Sequence, residues 1–254
     1  MKQLKADKLM VNIYPDRKQM GEAAAFAAAG CIRDLLTVQD EVNMIFAAAA
    51  SQNEFLEALV AAPGIAWQRV NAFHIDEYIG LPRLHPQRFG NFLKEKLFGR
   101  LSFGQVFYLD ESGSGDGQEC LRYAALLEQY KTDITCMGIG ENTHLAFNDP
   151  HVADFHDPRL VKIIDLDEPC KRQQVHDGCF PSVQQVPSFA YTLTIPALLR
   201  AGNIFCMVPG SNKAAAVRHT LNEPVNEKYP STILREHDDA VLFLDEESAG
   251  EQVA

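Results

Sequence analysis

The chain alternates from end to end between short apolar runs and single helical stretches, and this constrains its fold more than any other feature. Val42 to Ala50, Val70 to Ile75, Gln105 to Leu109, Ile134 to Ile139, Leu160 to Leu166, Phe189 to Thr194, Asn203 to Val208 and Ala240 to Leu244 read as strands. Between them, Asp16 to Leu36, Asn53 to Ala61, Gln118 to Tyr130, Pro196 to Arg200 and Asn212 to Leu221 carry helical patterning, and Pro86 to Phe98 is amphipathic. Glu111 to Gly117 (ESGSGDG) is turn chemistry, and 141–159 is long and irregular. Strands separated by single helices predict a mostly parallel sheet covered on both faces. No internal repeat or linker divides the chain, so residues 1–254 read as one domain.

Strand 134–139 empties into MGIGENTHLAFNDP at 137–150, which presents Glu141, His144 and Asp149. Open α/β sheets place their ligands beyond the carboxyl ends of the strands. A histidine five residues before a carboxylate is a candidate acid/base whose tautomer and charge the carboxylate sets. Taken alone, the same spacing also describes a surface turn with a solvated histidine and a capping aspartate. A second segment shifts the balance. FHIDEYIGLP at 73–82, followed by His85-Pro86-Gln87, puts Asp76 and Glu77 where strand 70–75 leaves the sheet. Paired carboxylates there suit proton transfer, because one raises the pKa of the other; two solvated acids on a capped loop are the alternative. His74 lacks a third partner at metal-binding spacing and reads as an internally bonded histidine. His85 beside Pro86 orders the loop, and Trp67 belongs to the core.

DEYIGLP at 76–82, HP at 85–86 and HLAFNDP at 144–150 resemble the glucosamine-6-phosphate deaminase/isomerase family. That family sits in the glucosamine-6-phosphate isomerase/6-phosphogluconolactonase superfamily. Weaker echoes at Lys171-Arg172-Gln173, VPSFAYTLT (186–194) and GSNKAAAV (210–217) extend the resemblance over nearly the whole chain. It implies a Rossmann-like three-layer α/β/α sandwich. It also implies an enzyme that turns glucosamine 6-phosphate into fructose 6-phosphate and ammonia by aldose–ketose isomerisation, with no cofactor and no metal. On this resemblance Asp76 is the base that moves a proton between C2 and C1. His144 assists ring opening and Asp149 tunes it, with a side chain one methylene shorter than the family's commoner Glu. Glu77, Arg172, Lys213 and the turn at Ser51 would bind substrate.

The chain departs from the family pattern in two places. Asn142-Thr143-His144 stands where many deaminases have Asp-Gly-His, so the imidazolium loses a charged neighbour unless Glu141 substitutes. Thr143 in place of Gly predicts a backbone that avoids positive φ. The family's Gly-Gly-Thr-Pro phosphate turn is here Ala47 to Asn53, where Ser51 is either an anion ligand or a plain N-cap of the next helix.

A formal charge of −11 disfavours nucleic acid but leaves a small anionic substrate open, since local cations and helix amides outweigh a distant background. The six cysteines show neither paired nor metal-ligand spacing and read as reduced thiols of a cytoplasmic enzyme. The Ala-rich stretch 23–29 is too short to span a bilayer. Self-association into a homo-oligomer is left open. Three other functions compete with the deaminase: a 6-phosphogluconolactonase, an isomerase/deaminase of another amino sugar such as galactosamine 6-phosphate, and a catalytically idle sugar-phosphate sensor.

Overall fold

In a computed structural model, which describes residues 1–110, 116–176 and 178–250, the elements follow in this order. They are β1 (Lys2–Ala6), β2 (Leu9–Tyr14), α1 (Arg17–Val38), β3 (Val42–Phe46), α2 (Asn53–Val60), β4 (Val70–His74), β5 (Asp76–Tyr78) and α3 (Phe89–Leu93). Next come β6 (Gln105–Val106), α4 (Gly117–Gln129), β7 (Ile134–Met137), β8 (Val161–Asp165), α5 (Glu168–His176), β9 (Phe189–Leu193) and α6 (Ile195–Leu199). β10 (Asn203–Val208), α7 (Ala214–Asn222), β11 (Ala240–Asp245) and α8 (Glu246–Ala249) complete the chain. Most of the ESGSGDG turn, 111–115, lies outside the described residues.

The main sheet has eight strands in the order β1-β2-β11-β10-β7-β3-β4-β6. Every pairing is parallel except the β1–β2 hairpin. β3 and β4 are buried along their whole length, as strands covered by helices on both faces must be. Two of their buried polar side chains, Asn43 and Asn71, bond each other at 2.9 Å rather than sit unsatisfied. One apolar cluster fills each face of this sheet. α1 buries its small Ala and Gly residues, and Gly21 lies so near α2 that a Cβ there would sit 2.6 Å from Glu54 Cβ. This close approach sets the first turns of α1 and α2 side by side.

Two predicted strands lie elsewhere. Leu160 to Leu166 and Phe189 to Thr194 pair antiparallel with each other, and the latter with β5, in a separate three-stranded sheet. The apolar run Val42 to Ala50 stops pairing at Phe46, because the chain turns at Ala47 to start the next helix. Gln105 to Leu109 pairs over only two residues. The stretch Pro86 to Phe98 becomes helical only at Phe89 and ends in a π-helical turn over Lys94–Phe98. α5 was hidden by its polar composition (EPCKRQQVH). Its start was nevertheless legible: Asp167 caps it through Cys170 N at 2.8 Å, with Pro169 in the first turn. No described helix is long and apolar enough to cross a membrane.

Candidate active site

The parallel strands β3, β4, β7 and β10 end at one edge of the sheet, and the segments that follow them enclose a cleft of about 190 Å³. Ser51, Asp76, Gly140, His144, Gln174 and Lys213 are among its lining residues. Ser51 follows β3, Asp76 follows β4, the Gly140–His144 loop follows β7, and Lys213 follows β10. Sequence neighbours of four different strands thus face one volume.

The loop after β7 is closed on itself. Gly140 N donates to His144 O at 2.9 Å and Thr143 N to Gly140 O at 3.0 Å. Thr143 adopts φ +71° and Ala146 φ +51°, so the prediction that Thr143 avoids positive φ fails. The conformation costs a β-branched residue ~1–3 kcal/mol. Its surroundings hold it there: Thr143 is buried, its hydroxyl donates to Asn142 O, and its own carbonyl accepts from Ser231 N at 2.9 Å. The loop is anchored to the small sheet through buried Asn148, whose Nδ2 donates to Leu145 O (2.9 Å) and Leu193 O (2.8 Å).

Within this loop the His144 Nδ1 lies 3.0 Å from Asp149 Oδ1 and 2.7 Å from Asn142 Oδ1. Asn142 Nδ2 in turn donates to the same Asp149 oxygen at 2.7 Å. Both neighbours of Nδ1 are acceptors, so Nδ1 carries the hydrogen and Nε2 is the nitrogen left for a ligand. Asn142 cannot supply charge, yet its amide spans the pair and fixes both partners. Burial of Asp149 works to raise its pKa, but the charge and hydrogen bond of His144 and the Asn142 amide outweigh it and hold the carboxylate below its ordinary range. Glu141 does not substitute for the missing acid. Its carboxylate accepts from Asn212 Nδ2 at 2.7 Å and lies 3.2 Å from His176 Nδ1, away from His144.

Asp76 sits where the chain passes from the main sheet to the small one, its backbone paired with Thr192. Its side chain is buried at the cleft. Burial first, and then the charge of Glu77, push its pKa well above the ordinary carboxylate value. The cleft therefore holds one carboxylate biased to take a proton and one biased to stay ionised, the separation that acid/base chemistry needs. Glu77 points to the opposite face of β5. It accepts from Tyr78 N (2.9 Å), Phe89 N (3.1 Å) and Gly90 N (3.0 Å) and lies 3.4 Å from Arg88 Nε. The substrate-binding role expected of Glu77 is thus not realised by direct contact: its carboxylate is spent on the start of α3. His74 is fully buried, with Nδ1 on Asp76 O (2.8 Å) and Nε2 accepting from Leu109 N (2.9 Å), and burial lowers its pKa to about 4. It is the internally bonded histidine that the sequence suggested.

At the other end of the cleft the expected anion ligands divide. Lys213 is buried and lines the cleft with Ser51. Arg172 does not: its side chain is 74% exposed on α5 and its ion partner is Glu168, 3.7 Å away. A helix that carries Arg172 on its outer face cannot present it inward. Ser51 is not an N-cap, since Gln52 occupies that position of α2 and no side chain caps it. Side-chain oxygens of Asp16, Glu77, Asp116, Asp167, Thr194 and Asp245 accept from first-turn amides of α1, α3, α4, α5, α6 and α8. α2 and α7, the two helices that follow the Ser51 and Lys213 turns, lack such a side-chain cap among the described residues; a 3-10 turn runs into each instead, with Asn53 N bonded to Ala50 O and Ala214 N to Ser211 O. The turn amides that open these two segments, beside a buried lysine, have the chemistry an oxyanion needs.

Residues 15–243 match the model of the family described as glucosamine-6-phosphate isomerases/6-phosphogluconolactonase. The chain belongs to this family of enzymes. It is 30% identical over 209 residues to a glucosamine-6-phosphate deaminase of Listeria monocytogenes serotype 4a (strain HCC23), covering 82% of this chain and 87% of the relative. It is 32% identical over 180 residues to one of Bacillus cereus (strain B4264), covering 71% and 67%. Among solved structures, a monomeric glucosamine-6-phosphate deaminase superposes with a TM-score of 0.84 at 25% identity, covering 95% of this chain and 98% of the other. A 6-phosphogluconolactonase from Thermotoga maritima gives 0.77 at 20% identity over 94% and 100%, a likeness of fold.

Two residues of this family member were not singled out from sequence. Gly140 forms the seat of the His144 ring: a Cβ there would lie 2.2 Å from Cε1 and Nε2. Thr192, whose Oγ1 accepts from Phe147 N at 3.1 Å, joins the loop to β9. The glycine was visible in the motif; its contact with a ring four residues on was not.

Proposed function

We propose that this chain is an amino-sugar phosphate deaminase/isomerase that converts glucosamine 6-phosphate into fructose 6-phosphate and ammonia. The observation that carries the reading is the shared cleft: a buried Asp76 with raised proton affinity faces the same volume as the His144–Asp149 pair. Asp149 keeps the imidazole oriented through Nδ1, and Nε2 exchanges a proton with the ring oxygen as the C1–O5 bond breaks and the C1 hydroxyl becomes an aldehyde. Asp76 then takes the C2 proton, which the neighbouring carbonyl acidifies, and returns it to C1, while one N–H proton of the amine passes to O1. The resulting C2 imine adds water, the C–N bond breaks, and ammonia leaves with the ketose. Lys213 and the Ser51 turn hold the phosphate, which fixes C2 against Asp76. General acid/base groups of this kind contribute ~10²–10⁴-fold each.

A lactonase needs the histidine but no base poised at C2, and the buried Asp76 is the feature that separates the two chemistries. The test is a panel of glucosamine 6-phosphate, galactosamine 6-phosphate, glucosamine and 6-phosphogluconolactone, reading ammonia and acid release with the pure protein. Ammonia release from glucosamine 6-phosphate supports the reading. Acid release from the lactone with no ammonia from any amino sugar rejects it.

A further inference from the structure

Arg17 lines the cleft beside Ser51 and Lys213. It is the first residue of α1, brought there because Gly21, one turn on, lets α1 abut the first turn of α2. Its guanidinium is fixed in place. Nε donates to Glu54 Oε1 (2.7 Å), and Nη2 donates to Glu54 Oε2 (2.9 Å) and to Ala50 O (3.1 Å). An arginine has five N–H donors, and these bonds use the three on Nε and Nη2. The two on Nη1 have no acceptor among the described residues.

We infer that Arg17 is the second cation of the phosphate subsite, taking with Nη1 the place that sequence similarity assigned to Arg172. The inference rests on the proposed sugar-phosphate reading and deepens it: the ligand class is a phosphate monoester dianion. Three starts of helices, α1, α2 and α7, meet at this end of the cleft, and their amide dipoles add to the charges of Arg17 and Lys213. Asp16 offsets part of this field at α1, and Glu54, Asp245 and Glu247 also lie near the guanidinium. Glu54 acts as a buttress: its two oxygens hold the guanidinium plane so that Nη1 has little freedom left to lose on binding. The same grip on Ala50 O fixes the turn whose amides join the site.

Two variants separate direct contact from support of the turn. Arg17→Met removes both; Glu54→Gln loosens the clamp but keeps the cation. Inorganic phosphate is titrated calorimetrically into the wild type and each variant, and steady-state kinetics compare glucosamine 6-phosphate with glucosamine. Direct contact predicts that Arg17→Met weakens phosphate binding and raises KM for the phosphorylated substrate ~10–100-fold, the range of a lost charge-assisted pair. KM for glucosamine stays unchanged, Arg17→Lys recovers part of the loss, and Glu54→Gln binds phosphate within about threefold of wild type. Equal losses in Arg17→Met and Glu54→Gln, or equal effects on both substrates, overturn the inference. Phosphate binding that depends on Arg17 in a protein without deaminase activity upholds it while rejecting the proposed reaction.

Discussion

Gly140→Ala isolates the seat of the imidazole. Gly140 is not in the left-handed region, so alanine meets no backbone penalty there, and only the new methyl matters. Its Cβ would lie 2.2 Å from Cε1 and Nε2 of His144 and 2.4 Å from Nδ1. Ordinary contact needs ~3.5 Å, so the ring must retreat by about 1.3 Å. That displacement breaks the 2.7 Å and 3.0 Å contacts of Nδ1 with Asn142 and Asp149. Overpacking of this kind costs ~1–3 kcal/mol, and a catalytic group moved by about 1 Å loses ~10²-fold in rate. The expected outcome is a drop of about 10²-fold or more in kcat/KM for ammonia release, with a folded protein of lower urea midpoint. A Gly140→Ala enzyme within about threefold of wild type, a difference of only ~0.6 kcal/mol in barrier, would show that the ring position is not what the chemistry needs.

Asn142→Asp replaces an amide that donates to Asp149 at 2.7 Å by a second carboxylate beside the first. Repulsion by the ionised Asp149 at this distance raises its folded pKa against the opposing Nδ1–H of His144, so the variant loses stability at neutral pH and regains it as pH falls; urea midpoints measured between pH 8 and 5 check the sign. Asp157 bonds Arg159 and buried Lys162; burial works to raise its pKa, but these partners bring it down to about 2. Its contribution to stability is fully present above the unfolded carboxylate pKa of ~3.9 and is lost as pH falls through the lower folded value. Asp157→Asn leaves Lys162 buried without its partner and costs ~3–5 kcal/mol in chemical denaturation. Arg172→Ala changes KM by less than about twofold, as expected for an exposed ion pair, while Lys213→Met raises it ~10–100-fold.

The parallel main sheet was legible because runs such as Val42–Phe46 are apolar throughout, which only strands covered on both faces tolerate. The second sheet was not, since β8 and β9 carry the same local signal and only their long-range pairing separates them from the first. Asp76, His144, Asp149 and Lys213 were readable as residues that follow strands, and they share the cleft or its supporting hydrogen bonds. Arg172 was misplaced because motif position does not say which face of a helix points inward. Glu77 was misjudged for a related reason: adjacent strand residues point to opposite faces, so a carboxylate beside Asp76 necessarily leaves the cleft. Thr143 defied the rule against positive φ because its hydroxyl, carbonyl and amide are all bonded, a compensation written in tertiary contacts.

The most direct test of proton transfer by Asp76 is exchange of the C2 hydrogen of glucosamine 6-phosphate with solvent deuterium, followed by NMR in wild type and Asp76→Asn. Amide and carboxylate are nearly isosteric, so the variant keeps the fold and binds substrate, but only the carboxylate accepts the proton. The account predicts exchange in the wild type and a fall of ~10²–10⁴-fold in the variant. Exchange at the wild-type rate in Asp76→Asn would contradict it.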